Sequence, residues 1–220
     1  MRRLFALAIA ATLSTAWGAS LDDVLARMDS SARSFRSYSA TARVIEYHKL
    51  FDDSQESTAA IRIRKTSRGV QAIVELSGPD EQTWYFNGSE AQNYLPKAKT
   101  VQVWRHLPSI AERLVLLGLS STRAELNRDF AISMGGAESI GSAHASRIIL
   151  MPHSKEVAEV ARTIELWIPD GKGTTIQQKL TAPNGDYRLI TFTSLQPNPS
   201  LPDSAFQLVV PPGTTREKEN

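Results

Sequence analysis

Ile61-Arg62-Ile63-Arg64, followed after a short turn by Val70-Gln71-Ala72-Ile73-Val74-Glu75-Leu76-Ser77, is the stretch that decides the fold. Successive side chains of a strand point to opposite faces, so strict alternation of apolar and polar residues marks a half-buried strand. The isoleucines at 61 and 63 and the apolar series at 70, 72, 74 and 76 therefore belong to one buried face. The arginines, Gln71 and Glu75 belong to the other. The same period runs outward in both directions. Upstream, Ala40, Ala42 and Val44 alternate with Thr41, Arg43 and Ile45. Downstream, short strands are expected at Thr83–Phe86, Gln92–Leu95 and Thr100–Trp104, with Asn87-Gly88 and Pro96-Lys97 as turns between them.

An apolar segment interrupts the meander. Leu107–Leu119 carries Leu114, Leu116, Leu117 and Leu119, opens near Pro108 and is punctuated by Gly118, which reads as a helix needing apolar partners around most of its girth. A short helix over Ser121–Asn127 follows. Strands then resume at Asp129–Met134, Ser146–Met151, Thr163–Ile168, Thr174–Thr181, Tyr187–Ser194 and Phe206–Val210, with hairpin signals at Asp170-Gly171 and Asn184-Gly185. Gln196–Asp203 is proline-rich loop, and Thr214–Asn220 a polar tail. Ahead of all this, Leu21–Phe35 reads as a helix. Leu21, Val24, Leu25 and Met28 form its stripe, and Asp22 and Asp23 sit in the first turn, where the helix dipole favours negative charge.

So many antiparallel strands curl rather than lie flat. The expected fold is α+β, mainly antiparallel β: an incomplete, half-open barrel with helices over an apolar concave face. Ile61, Ile63, Val70, Ala72, Val74, Leu76, Val101, Val103, Ile164 and Leu166 are the residues expected to line that face. Alternation alone leaves open whether the helices fill the hollow as ordinary core or cover a cavity.

The N-terminus gives an address. Arg2 and Arg3 precede an uncharged apolar run, Leu4–Leu13, and Ala16 and Gly18 fit positions −3 and −1 of a cleavage site. This is the three-part layout of a secretory signal peptide, so residues 1–19 are expected to be a cleaved leader and 20–220 one domain in the periplasm. Loss of Arg2 and Arg3 takes 25 basic residues to 23, equal to the 23 acidic ones. A neutral chain without basic blocks does not point to nucleic acid. Cysteine is absent, which excludes disulfides and lipid anchoring through an N-terminal cysteine.

Catalytic signatures are missing. His48, His106, His144 and His153 stand singly, without metal-ligand spacing, and no GxSxG elbow or phosphate-binding loop occurs. Glu46, Glu75 and Glu165 alternate outward from strands and read as a solvated face. No catalytic residue, metal ligand or cofactor is therefore assigned, and an enzyme is not expected.

Three stretches carry a family likeness. They are Trp84-Tyr85-Phe86-Asn87-Gly88 continuing through Gln92-Asn93-Tyr94-Leu95-Pro96; Glu165-Leu166-Trp167-Ile168-Pro169-Asp170-Gly171 through Asn184-Gly185-Asp186; and Thr191-Phe192-Thr193 through Asn198-Pro199-Ser200-Leu201-Pro202-Asp203-Ser204-Ala205-Phe206 to Pro211-Pro212-Gly213. Together they resemble the periplasmic outer-membrane lipoprotein carriers of the LolA family, within the LolA/LolB-like superfamily. The resemblance implies a monomeric lipid-binding chaperone that ferries acylated lipoproteins from an inner-membrane ABC transporter to an outer-membrane acceptor. It implies a lid, here with Leu114 and Leu117, and an arginine that latches the lid backbone, which falls at Arg68. The alternative it leaves is a carrier or sensor of free phospholipid or another hydrophobic ligand.

Overall fold

A computed structural model describes residues 19–105, 114 and 117–219. Residues 1–18, where the leader is expected, and most of the expected 107–119 helix lie outside the described residues.

Helix α1 (Leu21–Ser34) starts at a reciprocal cap. The Ser20 hydroxyl accepts from the Asp23 N–H at 3.2 Å, and the Asp23 carboxylate accepts from the Ser20 N–H at 3.1 Å, satisfying two donors that the first turn leaves unpaired. The Ser20 hydroxyl and N–H hold the Asp23 carboxyl below its usual range. Val24, Leu25 and Met28 bury the apolar stripe. A second capping box, Thr122 with Glu125, opens α2 (Arg123–Asp129). Helix α3 (Lys155–Val160) has no counterpart among the expected elements: Val157 is the one residue it buries, too little to impose a legible helical period.

Among the described residues, twelve strands form one sheet. In chain order they are β1 (Ser37–His48), β2 (Asp53–Thr66), β3 (Gly69–Ser77), β4 (Gln82–Asn87), β5 (Glu90–Leu95), β6 (Thr100–Trp104), β7 (Phe130–Ile140), β8 (Ala143–Pro152), β9 (Thr163–Pro169), β10 (Gln177–Thr181), β11 (Tyr187–Pro197) and β12 (Thr215–Lys218). Their spatial order is β12-β6-β5-β4-β3-β2-β1-β11-β10-β9-β8-β7. The sheet is open, with β12 and β7 at its two ends, and every pairing is antiparallel except β12 with β6. This is the incomplete barrel that the alternation predicts.

Two elements depart from expectation near the end of the chain. Phe206–Val210 is no strand. A 3-10 turn at Asp203–Phe206 buries Phe206 beneath the Arg64 guanidinium, 4.3 Å above its ring, while Val209 stays 82% exposed. The polar tail supplies the strand instead, with Thr215 donating to the Lys99 carbonyl and Glu219 to that of Val103. Pro211 and Pro212 have no N–H to give a ladder, so pairing begins only beyond them.

The concave face holds two apolar clusters. One joins α1, α2 and α3 to β8 and β9 through Ile148, Leu150, Ile164, Leu166 and Ile168. The other lies on β1–β3 around Ala40, Ala42, Val44, Ala59, Ile61, Ile63 and Ala72. Leu166 is fully buried in the first. Leu166→Ala is expected to cost about 2–5 kcal/mol, the range for a buried leucine whose cavity cannot collapse. Val209→Ala should stay within about 0.5 kcal/mol. Urea unfolding midpoints of the two variants check this.

Candidate functional site

Ladder register fixes which side chains share the hollow. Ile61 pairs with Val74, Val74 with Trp84, Trp84 with Asn93 and Asn93 with Gln102. Paired residues project to the same side of a sheet, so all five face inward. Ile63, Ala72 and Phe86 follow in the next row, and Val70 and Leu76 share the parity of Ala72. On the far side Ile164 and Leu166 face inward beside Leu150 and Ile148. The structure thus brings eight of the ten expected lining residues onto the concave face, in two separate clusters.

Val101 and Val103 are the two corrections. Val103 pairs with Gln92, Gln92 with Tyr85 and Tyr85 with Ile73, a row that also contains Arg62. Val101 aligns with Tyr94, Thr83 and Glu75 in the same way. Both valines lie on the convex face. Val101 is fully buried there and Val103 partly so, on the face that the C-terminal run also meets, where the Ala205 carbonyl accepts from Arg62 and Phe206 packs beneath Arg64. The inward residues of β6 are Gln102 and Trp104, and Trp104 continues an aromatic slab. Its ring lies 5.3 Å from Trp84, which lies 5.8 Å from Phe86, all nearly parallel. These rings are half-buried, a large apolar surface turned to the hollow.

Between the clusters runs a strap, Leu117-Gly118-Leu119. Leu117 inserts into the β8–β9 cluster, with Leu114 packed against the same cluster, and Leu119 inserts into the β1–β3 cluster. Gly118 sits between them at φ +73°, and a Cβ there would meet Thr175 Cγ2 at 2.9 Å and Leu166 Cδ1 at 3.2 Å. The position accommodates only glycine, for reasons of both backbone and space. Three consecutive strap carbonyls are engaged from the sheet. Gln178 Nε2 donates to Leu117 O, the Thr175 N–H to Gly118 O at 2.8 Å, and the Tyr38 hydroxyl to Leu119 O at 3.2 Å. Within the strap, the Gly118 N–H donates to Ser121 Oγ.

That fastening shortens a strand. The sequence predicts a continuous strand over Thr174–Thr181, yet β10 begins at Gln177, because Thr175 turns its N–H to the strap and its hydroxyl to the Trp167 and Gln177 carbonyls. Tyr38, Thr175 and Gln178 are the functional candidates that sequence reasoning missed. The available signal was polar groups at Tyr38 and Gln178 on rows that should be apolar, opposite Ile63 and Leu166.

Arg68, the expected latch, is exposed at the β2–β3 turn. Its N–H donates to Thr66 Oγ1 and its carbonyl lies against Gly88. Among the described residues its guanidinium has no hydrogen bond, and the strap bonds above come from elsewhere. The carboxylates expected on a solvated face are ion-paired: Glu75 with Arg62, Glu165 with Arg147, which also reaches Glu138, and Glu46 with Arg188. Three histidines make single contacts, His48 with Asp186, His144 with Ser139 and His153 with the Arg128 carbonyl; His106 lies outside the described residues. Among the described residues no group of three His, Cys, Asp or Glu could hold a metal.

No family model matches the chain, and no curated protein matches it in sequence. Solved structures match it in shape. An uncharacterized conserved protein from Thermus thermophilus superposes with a TM-score of 0.57 at 11% identity, over 90% of this chain and 98% of that one. MucB, in the MucA/MucB complex of Pseudomonas aeruginosa, superposes with a TM-score of 0.50 at 15% identity, over 85% of this chain and 60% of that one. The chain therefore spans less than two thirds of the length of MucB. A LolA superfamily protein from Nitrosomonas europaea, NE2245, is also similar, with a TM-score of 0.42 at 11% identity, over 87% of this chain and 99% of that one. The class these findings define is one of fold: the chain shares with the Thermus thermophilus protein and with part of MucB an open antiparallel sheet curled around helices.

Tyr38 allows the strap to be tested without touching its leucines. Burial pushes the phenol above its ordinary value of 10.0, so the hydroxyl remains a donor through neutral pH. Tyr38→Phe should destabilise the protein by about 1 kcal/mol at pH 7, since a buried carbonyl loses its partner. A raised folded-state pKa stabilises fully below the unfolded value and is lost as pH rises through the folded one. The difference in urea midpoint between wild type and Tyr38→Phe should therefore shrink above about pH 10.

Proposed function

We propose that the protein is an exported periplasmic chaperone that shields the acyl chains of lipoproteins on its concave face and carries them between membranes. Each methylene withdrawn from water is worth about 0.8 kcal/mol, so a multiply acylated polypeptide crosses an aqueous space only against a comparable apolar surface. The observation that carries this reading is the strap. Its two leucines occupy two apolar clusters that line one hollow, and it is fastened to the sheet largely through backbone carbonyls. A strap held this way can leave without disturbing a strand. Lipid tails would then replace Leu117 and Leu119 against Ile61, Val74, Leu166 and the aromatic slab. Release is favoured because the empty state regains the leucine contacts.

The β1–β2 hairpin is consistent with a carrier that meets bilayers. Its tip holds Leu50 and Phe51, 86% and 77% exposed. Adjacent apolar side chains in water are costly unless they reach an apolar phase. The reading involves no catalysed reaction and no cofactor. An inner-membrane ABC transporter would load the monomeric carrier and an outer-membrane acceptor would unload it.

The alternative reading is that the same hollow senses or carries free phospholipid or another hydrophobic ligand. Mass spectrometry of lipid co-purified from native periplasm separates the two.

Incubation of mature protein with inner-membrane vesicles holding a triacylated lipoprotein should release a soluble one-to-one complex, detected by gel filtration. Leu117→Asp should lower its yield by about tenfold through loss of the two-state strap, with circular dichroism confirming that the sheet persists. Lipoprotein remaining wholly in the vesicles with wild-type carrier would contradict the proposal.

A further inference from the structure

One stripe of α1 does not fit an apolar carrier. Arg27, Ser30, Ser31 and Ser34 are spaced to share a helix face, and they line a cleft of about 570 Å³ between α1, the β9–β10 connection and the end of β11. Arg27 Nε donates to the Lys172 carbonyl at 3.0 Å, whereas its Nη2 is buried and has no hydrogen-bond partner among the described residues. A guanidinium cannot shed its proton in a protein, so that nitrogen is a buried cationic donor whose hydrogen bond is unmade, although the Asp23 carboxylate, one helical turn away, interacts with the same guanidinium. The cleft is lined by two cations, Arg27 and Lys172, and by no carboxylate. A second cleft of about 440 Å³ borders Arg27 on its other side and does contain Glu138 and Asp170. Glu138 is already engaged there by Arg147 at 3.1 Å and by Trp167 Nε1 at 2.9 Å. The opposite wall of the larger cleft is less polar, formed by Tyr38, Ile176 and Leu195. Tyr38 is the residue that also holds the strap.

From this juxtaposition we propose that the Arg27–Lys172 cleft is an oxyanion subsite, binding the phosphate of a ligand between the Arg27 guanidinium, the α1 serines and Lys172. Two sources share that chemistry. One is free phosphate. The other is the headgroup of an anionic amphiphile whose chain runs past Tyr38 and Leu195 toward the hollow, and this source rests on the carrier reading above. Arginine suits phosphate because its fork of donors matches the oxyanion.

Isothermal titration of the mature protein tests the subsite with three probes: inorganic phosphate, dihexanoyl phosphatidic acid, and dihexanoylglycerol, which has the same chains without the phosphate. Phosphatidic acid is expected to bind at least about tenfold tighter than dihexanoylglycerol, a typical return for charge-assisted hydrogen bonds. Arg27→Gln should abolish that difference while leaving the affinity for dihexanoylglycerol unchanged. Inorganic phosphate binding as tightly as phosphatidic acid supports the subsite with the free ion as its ligand. Equal affinity for the two lipids, with no binding of inorganic phosphate, overturns the proposal, as does a difference that survives Arg27→Gln. Should Arg27→Gln not fold, the exposed Lys172→Gln carries the test: a loss of about threefold for phosphate or phosphatidic acid is expected, and no loss overturns it. The two hypotheses fail separately. Absent binding of dihexanoylglycerol counts against the acyl-chain hollow, whereas phosphate binding reports on the subsite alone.

Discussion

Three consecutive backbone carbonyls, those of Leu117, Gly118 and Leu119, receive hydrogen bonds from Gln178, Thr175 and Tyr38, and the organisation of the hollow depends on that fastening. A segment that crosses an apolar face must satisfy its polar backbone groups there, because water is excluded. The protein solves this with three buried donors, Thr175 in the connection ahead of β10, Gln178 on β10 and Tyr38 on β1. In return the strap delivers one leucine to each apolar cluster and divides a continuous concave surface in two. Gly118 makes the crossing possible, since a side chain there would strike Thr175 and Leu166.

The convex face obeys a different logic. It is laced by charge pairs along neighbouring strands, Arg43 with Glu56, Arg62 with Glu75, and Arg147 with Glu165 and Glu138. Such exposed pairs add little individually. They make one side of the sheet unsuited to apolar ligands, and the C-terminal run covers another part of it through Phe206 over Arg64.

Much of this was legible in the residues. Alternation at Ile61–Arg64 and Val70–Ser77 placed both strands and their inner faces, because a half-buried strand allows no other spacing. The same reasoning misplaced Val101 and Val103. In β6 the orientation is inherited through Gln92, Tyr85 and Ile73, and burial of both faces removes the contrast that alternation needs. The strap's fastening was not legible, since Tyr38 and Gln178 stand 81 and 61 positions from their acceptors. Nor was the terminal strand. Its polar residues lie beyond a proline pair and pair with only one neighbour, so they carry no apolar signal. Arg68 occupies the position that family resemblance assigns to a latch; most of the expected lid lies outside the described residues, and the hydrogen bonds described at residues 117–119 come from the opposite half of the sheet and from β1.

The central claim is that the strap is a movable partition, and amide hydrogen exchange of Leu117, Gly118 and Leu119 measures it directly. With a bound acyl ligand, the account predicts that these amides lose protection while those of Ile164 and Leu166 in β9 keep theirs. Protection of the strap that is unchanged or increased when hydrocarbon occupies the hollow would contradict it.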